Sequence, residues 1–266
     1  MSAVTIRARL DAELVRRGLA RSRQQAAELI EQGRVIVRGV PAGKPATVVD
    51  RGTSVVVQRG DERDWASRGA HKLIGALDAF AVDVAGLRCL DAGASTGGFT
   101  DVLLDRGAAE VVAVDVGYGQ LVWRLQSDER VHVHDRTNVR ALAPEAIGGP
   151  VGLTVADLSF ISLRTVLPAL VACTADGGEL LPMVKPQFEV GKERLGAGGV
   201  VRSPELRTAA LTEVAAAARA LGLVLRGAVA SPLPGPSGNV EYFLRLARSG
   251  SDTGDAVLAA AVEEGP

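Results

Sequence analysis

Asp91-Ala92-Gly93-Ala94-Ser95-Thr96-Gly97-Gly98-Phe99 is the stretch on which the fold turns. Upstream, Leu87-Arg88-Cys89-Leu90 has the composition of a buried strand, and downstream Phe99 to Arg106 predicts a helix stopped by Gly107. A strand that opens through small residues into a helix leaves bare backbone N–H groups beside a ligand. A second strand, Glu110-Val111-Val112-Ala113-Val114, ends in Asp115, 22 residues after Gly93. An acidic residue at that spacing is placed to accept hydrogen bonds from a ribose. Loop and acid together predict a grip on an adenosine-type cofactor.

The pattern continues on both sides of this unit. Further strands fit Arg130 to His134, Val151 to Ala156, Gly178 to Val184, Leu223 to Ala230 and Asn239 to Leu246. Helices fit Leu73 to Phe80, Gln120 to Gln126, Thr165 to Ala172 and Pro204 to Leu221, with a short one at Asp255 to Glu264. Alternation of this kind predicts an α/β doubly wound parallel sheet. Only Ser231-Pro232-Leu233-Pro234-Gly235-Pro236-Ser237-Gly238 separates the last two strands, too short and Pro-rich for a crossover helix. Those strands are expected to pair antiparallel. A mostly parallel seven-stranded sheet ending in an antiparallel hairpin fits a Rossmann-like class I methyltransferase better than an NAD dehydrogenase.

The loop itself narrows the ligand. Ser95 sits where a dinucleotide fingerprint needs its second glycine, the one that admits the pyrophosphate. Gly93-Ala94-Ser95-Thr96-Gly97 also matches the hydrolase form Gly-x-Ser-x-Gly, but that chemistry needs a histidine after the acid, and none follows His134. What is left is an S-adenosylmethionine loop of the Asp-x-Gly-x-Ser-x-Gly-Gly type, or a glycine-rich turn with no ligand.

Four more residues bear on the reaction. Lys72 precedes the first helix of the body, Asp157 ends the fourth strand, Lys185 ends the fifth, and Glu241 lies early in the last. Ligands of parallel sheets collect at the carboxyl ends of strands. Asp157 and Lys185 are there by position, and Glu241 joins them because its strand runs the other way. Lysine is scarce, 4 residues against 26 arginines, so Lys185 after an apolar strand is a poor candidate for simple solvation. An amine can lose its proton when desolvated beside another cation, which a guanidinium cannot. Lys185 as general base, with Lys72 lowering its proton affinity and Asp157 and Glu241 orienting the group, is a coherent set.

The 266 residues carry a net charge of −1 that hides an asymmetry. Residues 1–60 hold 11 Arg and Lys against 5 Asp and Glu, while the remainder is net acidic. A basic module on an acidic body suggests a polyanionic partner. Ala8 to Arg17 predicts a helix, Ser22 with Gln25 is a capping-box signature for a second one ended by Gly33, and Arg34 to Val40 and Thr53 to Val57 read as strands. No apolar run approaches the roughly 20 residues that span a bilayer, and no His or Cys cluster suggests a metal. Cys89 and Cys173 fall in apolar segments and are expected to be free thiols, which suits a cytoplasmic protein.

The order of the first 60 residues, with Arg-Leu-Asp, Arg-Gly-Leu-Ala, Ser-Arg-Gln-Gln-Ala and Gly-Arg-Val in sequence, resembles a small α+β S4 RNA-binding domain. The Lys-Asp-Lys-Glu set resembles the tetrad of the RrmJ/FtsJ-type ribose 2′-O-methyltransferases. With Ser67 to Leu73, Asp91 to Phe99, Val184 to Glu189 and Pro234 to Phe243, the whole chain resembles the TlyA (hemolysin A) family. The resemblance implies 2′-O-methylation of cytidine in 16S and 23S rRNA, or 23S alone, and sensitivity to capreomycin-type antibiotics.

It further implies domains at 1–60 and 67–266 joined by a linker at 61–66. S-adenosylmethionine contacts are expected from Asp91, Gly93, Ala94, Ser95, Thr96, Gly97, Gly98, Phe99, Asp115, Val116, Asn138 and Asp157, and catalysis from Lys72, Asp157, Lys185 and Glu241. RNA contacts are expected from Arg7, Arg9, Arg21, Arg23, Lys44, Arg68, Arg136 and Phe160, the last stacking on a flipped base. The expected partner is rRNA within 30S or 50S subunits, met by a monomer with no stable membrane association. One departure is visible: the family's linker reads Arg-x-Trp-Val, against Arg63-Asp64-Trp65-Ala66 here. Trp65 either docks between domains or packs locally. A membrane-lytic protein would need an amphipathic or membrane-spanning segment, a non-catalytic RNA binder would not need the tetrad, and a base methylase often uses an Asn/Asp-Pro-Pro-aromatic loop. Asp157-Leu158-Ser159-Phe160 lacks both prolines.

Overall fold

A computed structural model describes residues 7–31, 33–57 and 64–265. The chain divides into two compact units, Met1–Asp64 and Trp65–Pro266. Linker positions 61–63 lie outside the described residues.

The first unit runs β1 (Arg7–Arg9), α1 (Leu10–Arg16), α2 (Arg23–Glu31), β2 (Val35–Val37), β3 (Val40–Pro41), β4 (Val48–Asp50) and β5 (Val55–Val57). Leu10, Leu14, Ala26, Leu29, Ile30, Val35 and Val49 form its core. The first helix starts two residues later than the sequence predicts, because Ala8 and Arg9 pair with Val49 and Val48 as a strand. The strand expected over Arg34 to Val40 is instead a hairpin. Arg38 and Gly39 both take positive φ (53° and 83°), the signature of a two-residue type I′ loop, and Val40 returns to face Val37. The second helix is capped as its sequence suggests, Gln25 N donating to Ser22 Oγ at 3.1 Å. The Gln25 amide oxygen reaches Arg21 N, one residue further back than a capping box requires.

The second unit runs α3 (Gly69–Phe80), β6 (Arg88–Ala92), α4 (Gly98–Asp105), β7 (Glu110–Val114), α5 (Trp123–Gln126), β8 (Val131–His134), β9 (Val151–Ala156), α6 (Leu163–Cys173), β10 (Thr174–Val184), α7 (Pro186–Glu189), α8 (Pro204–Ala220), β11 (Val224–Ala230), β12 (Tyr242–Ala247) and α9 (Ala256–Glu263). Its seven strands lie in the order β11-β12-β10-β9-β6-β7-β8. Pairings from β10 to β8 are parallel, whereas β12 is antiparallel to both β10 and β11. Strand alternation feeds two apolar layers: Tyr242, Leu244 and Leu246 enter one, and Phe243 the other, with Phe99, Leu103 and Leu153. Trp65 packs against this second layer. From β6 the chain winds outward through β7 and β8, then returns to β9 on the opposite side. That reversal opens a crevice at the carboxyl ends of β6 and β9.

Two boundaries differ from expectation where they matter. The first helix of this unit begins at Gly69, so Lys72 stands in its first turn and not ahead of it. Small residues permit the early start: Gly98 leaves no room for a side chain against Ser67 Oγ, which also accepts from Gly69 N. The last strand begins at Tyr242, so Glu241 precedes it. Asn239 is turned away from the sheet, its amide accepting from Val201 N and donating to Gly199 O. No helix among the described residues is long and apolar enough to cross a membrane.

Candidate active site

The crevice is built from the end of β6. Asp91 is fully buried, and its Oδ2 accepts from Thr100 N at 2.9 Å and Thr100 Oγ1 at 2.7 Å, locking the start of α4 to the strand. Its Oδ1 has no hydrogen-bond partner. Burial, with the neighbouring Asp157 and Asp115 carboxylates, pushes this acid up to about 7. Gly93 follows with φ 90°, and a Cβ there would stand 2.5 Å from the Asp157 carbonyl oxygen. The chain can pass this point only without a side chain.

Opposite, Asp115 continues from β7. Its Oδ2 accepts from Ser95 N at 2.8 Å and its Oδ1 from Gly117 N at 2.7 Å. Each oxygen keeps a second acceptor direction for a ligand hydroxyl. Asn138 turns its Oδ1 onto Arg140 N. Gly93, Ser95, Asp115, Val116, Asn138, Asp157 and Phe160 all line one cavity of about 500 Å³, within the size range of small-molecule sites. Asp91, Ala94, Thr96, Gly97, Gly98 and Phe99 are not among its lining. Phe99 lies in the core, its ring tilted against Phe243 at 6.0 Å. The residues present fit S-adenosylmethionine: an anchored carboxylate for the ribose, a side-chain-free turn, and an anionic wall for a cationic sulfur.

The four candidate catalytic side chains form two ion pairs. Lys185 Nζ stands 2.6 Å from Asp157 Oδ1 and donates to Ser159 Oγ at 2.9 Å. Lys72 Nζ donates to Glu241 Oε2 at 2.5 Å. Lys72, Lys185 and Glu241 are buried, at 8%, 8% and 1% exposure. Val184 pairs with Tyr242 across β10 and β12, so Lys185 and Glu241 are the next residues outward on neighbouring strands. Each lysine therefore faces a carboxylate, where the sequence suggested lysine acting on lysine. Ser159 was not legible in the sequence, nor were Gln120, Leu158 and Ile161 in the cavity wall, since a loop's facing depends on its neighbours.

Phe160 is 91% exposed with φ 63°, and its ring centre lies 5.3 Å from that of Phe188. Arg136, exposed with φ 53°, holds its guanidinium 4.2 Å over the Tyr118 ring, and Arg68 is exposed at the start of α3. In the first unit Arg9 and Arg23 both hold Asp11, and their hydrogen bonds, that of Arg9 above all, keep its carboxyl well below the usual carboxylate range. Arg7 reaches Asp50 at 3.3 Å, and Lys44 is exposed. No group of three or more potential metal ligands exists among the described residues.

Comparison with known proteins agrees with this division. An S4 domain model matches residues 8–55 and an FtsJ-like methyltransferase model matches residues 65–248. The 16S/23S rRNA (cytidine-2′-O)-methyltransferase TlyA of Mycobacterium tuberculosis is 64% identical over 266 residues, covering 98% of this chain and 99% of that one. Hemolysin A of Brachyspira hyodysenteriae is 34% identical over 237 residues, covering 88% of this chain and 98% of its own. The solved structure of a hemolysin candidate from Streptococcus thermophilus superposes with a TM-score of 0.77 at 36% identity, covering 98% of this chain and 96% of that chain. The chain belongs to the FtsJ-like methyltransferases, in the TlyA family that joins this body to an S4 domain.

Proposed function

We propose that this protein transfers a methyl group from S-adenosylmethionine to the ribose 2′-hydroxyl of a cytidine in 16S or 23S rRNA. The observation that carries the reading is the Lys185–Asp157 pair, 2.6 Å long, at the strand ends beside the cavity of Gly93 and Asp115. When bound, the cofactor supplies a methyl carbon made electrophilic by its sulfonium. Asp115 would hold the ribose hydroxyls of that cofactor, Gly93 would leave room beside it, and Asn138 and Val116 would line the same cavity.

The protein's part in the transfer is to place a 2′-oxygen and remove its proton. Lys185 Nζ, 2.6 Å from Asp157 Oδ1 and donating to Ser159 Oγ, would be the base that takes the 2′-hydroxyl proton as the methyl leaves the cofactor's sulfur for that oxygen. Positioned general-base help of this kind contributes roughly 10²–10⁴-fold. Glu241 holds Lys72 beside the same edge. Phe160 offers an exposed ring on which a base turned out of its helix can stack.

Residues 1–60 act as the RNA-gripping domain, through Arg7, Arg9, Arg21, Arg23 and Lys44, and residues 61–66 as linker. Arg68 and Arg136 extend that grip on the methyltransferase domain. S4-type binding through phosphates and shape suits a folded rRNA target within a 30S or 50S subunit, met by a cytoplasmic monomer. Loss of the modification lowers sensitivity to capreomycin-type antibiotics. Incubating separated 30S and 50S subunits with labelled S-adenosylmethionine, then mapping the label, tests the reading. Label on a cytidine 2′-oxygen is the expected result. Label on a base, or no label on either subunit, overturns it.

A further inference from the structure

Glu189 is 3% exposed, yet it lies on neither the cavity wall nor the Lys72–Glu241 pair. Its Oε1 accepts from Leu163 N at 2.7 Å and its Oε2 from Ser162 Oγ at 2.6 Å. Leu163 N is the first amide of α6, one of the donors a helix cannot satisfy internally, and the helix dipole favours an anion there. Ser162 already caps that helix through Arg164 N. Glu189 therefore completes the cap from a distant part of the chain, at the end of α7, with Arg164 Nε 3.4 Å away.

What this cap joins is the reaction machinery. Asp157 to Ser162 has no regular secondary structure. Its shape depends on ties at each end, and both ties reach the segment from Lys185 to Glu189. At one end Lys185 holds Asp157 and Ser159, and at the other Glu189 holds Ser162 and Leu163. Between them the Phe160 and Phe188 rings meet, with Phe160 in a left-handed conformation that a non-glycine residue adopts only when its surroundings hold it there. Burying a carboxylate is costly unless its hydrogen bonds are satisfied, and Glu189 satisfies them entirely on this loop and on Arg164.

We propose that Glu189 is a positioning residue for methyl transfer: by gripping Ser162 and Leu163 it fixes the loop carrying Asp157, Ser159 and Phe160 against the segment carrying Lys185. This rests on the ribose-methyltransferase reading and adds to it a residue that touches neither cofactor nor RNA. Small misplacements of a reacting group cost up to roughly 10²-fold in rate, so the effect belongs in kcat. RNA capture depends mainly on the basic residues of the first unit and changes little.

The test uses the full chain with ribosomal subunits and compares wild type, Glu189→Ala, Glu189→Gln and the milder Ser162→Ala. Glu189→Ala is expected to lower kcat by roughly 10–100-fold, while KM for the subunit stays within about threefold. Glu189→Gln keeps an acceptor for Leu163 N and recovers most of the rate, and Ser162→Ala falls between. A Glu189→Ala protein with wild-type kcat overturns the proposal. So does Glu189→Gln no faster than Glu189→Ala, or a rate loss that only follows the folded fraction in thermal unfolding. Should Glu189→Ala fail to fold, wild-type kcat in Ser162→Ala overturns it as well. A wild-type protein silent on both subunits overturns the functional reading, and this inference with it.

Discussion

Lys185 Nζ and Asp157 Oδ1 lie 2.6 Å apart at the ends of adjacent parallel strands, with Ser159 Oγ as the amine's second partner. Charge and proton-carrying capacity can be separated at this pair. Lys185→Arg keeps the cation but cannot release a proton in the accessible range, and Lys185→Met keeps the length alone. Both are expected to lower single-turnover methyl transfer by at least 10². Calorimetric cofactor affinity stays within a few-fold, because no cofactor-side contact is removed. Substantial activity in Lys185→Arg would show that Lys185 acts through its charge and not as a base.

Lys72 and Glu241 form the second pair, and almost nothing of either side chain reaches solvent (10% and 1%). Removing one partner strands a buried charge, a loss of about 3–5 kcal/mol in comparable cases. Lys72→Met alone is expected to lower the unfolding free energy by that order, and Lys72→Met with Glu241→Leu to regain most of it. Denaturant melts measure the stability. Methyl transfer stays low in both variants if the pair serves the reaction, so a double variant with restored activity assigns the pair to stability alone.

Gly93 ties backbone geometry to ligand access. A methyl group there meets the Asp157 carbonyl oxygen at 2.5 Å, at a φ of 90° that side chains avoid. Gly93→Ala must move the β6 or β9 end to relieve the clash, and the cavity lies between them. Cofactor affinity is expected to fall more than tenfold, with the helix content in circular dichroism unchanged.

Legibility in the sequence followed how local each constraint was. Glu110–Val114 and Val151–Ala156 were read to the residue because apolar, β-branched runs mark buried parallel strands. The Pro-rich segment after Ala230 announced the antiparallel return by what it could not form. β4 escaped notice, because three residues, Val48-Val49-Asp50, carry no period. Phe99, read as part of the ligand loop, is 3% exposed in the core, since a helix's inward face is set by what packs on it. The pairing of Lys72 with Glu241 and the capping of α6 by Glu189 join segments distant in the chain, and no spacing encodes them.

Asp91 predicts an unusual pH dependence of stability. Its ordinary value of 3.8 is raised to about 7 in the fold, mainly by burial. Between those values the folded protein binds a proton that the unfolded chain has released, so stability falls as pH rises from about 4 to about 7. The loss for this one group is on the order of 4 kcal/mol if the whole shift is realised. Asp91→Asn keeps an acceptor for Thr100 and removes the titration. Its unfolding free energy is expected to be flatter than wild type between pH 5 and pH 8, and an identical slope in both proteins rules out Asp91 as the source.

Arg21 and Arg23 offer the test of the first unit. Arg23 holds Asp11 at 3.0 Å with its side chain 60% exposed, so it can turn to a phosphate at small cost. Arg21, two residues earlier and just ahead of the helix, is 48% exposed and pairs with Asp64 at 3.0 Å. Each phosphate contact releases condensed counterions and steepens the salt dependence of binding by about 0.7–0.9 in log–log slope. Arg21→Ala with Arg23→Ala is therefore expected to weaken rRNA binding most at low salt and to flatten that slope by about 1.5. Transfer at saturating subunit should keep its rate, because the Lys185 edge is untouched. A uniform loss at every salt concentration would mean that these arginines support the fold of the unit and do not meet the RNA backbone.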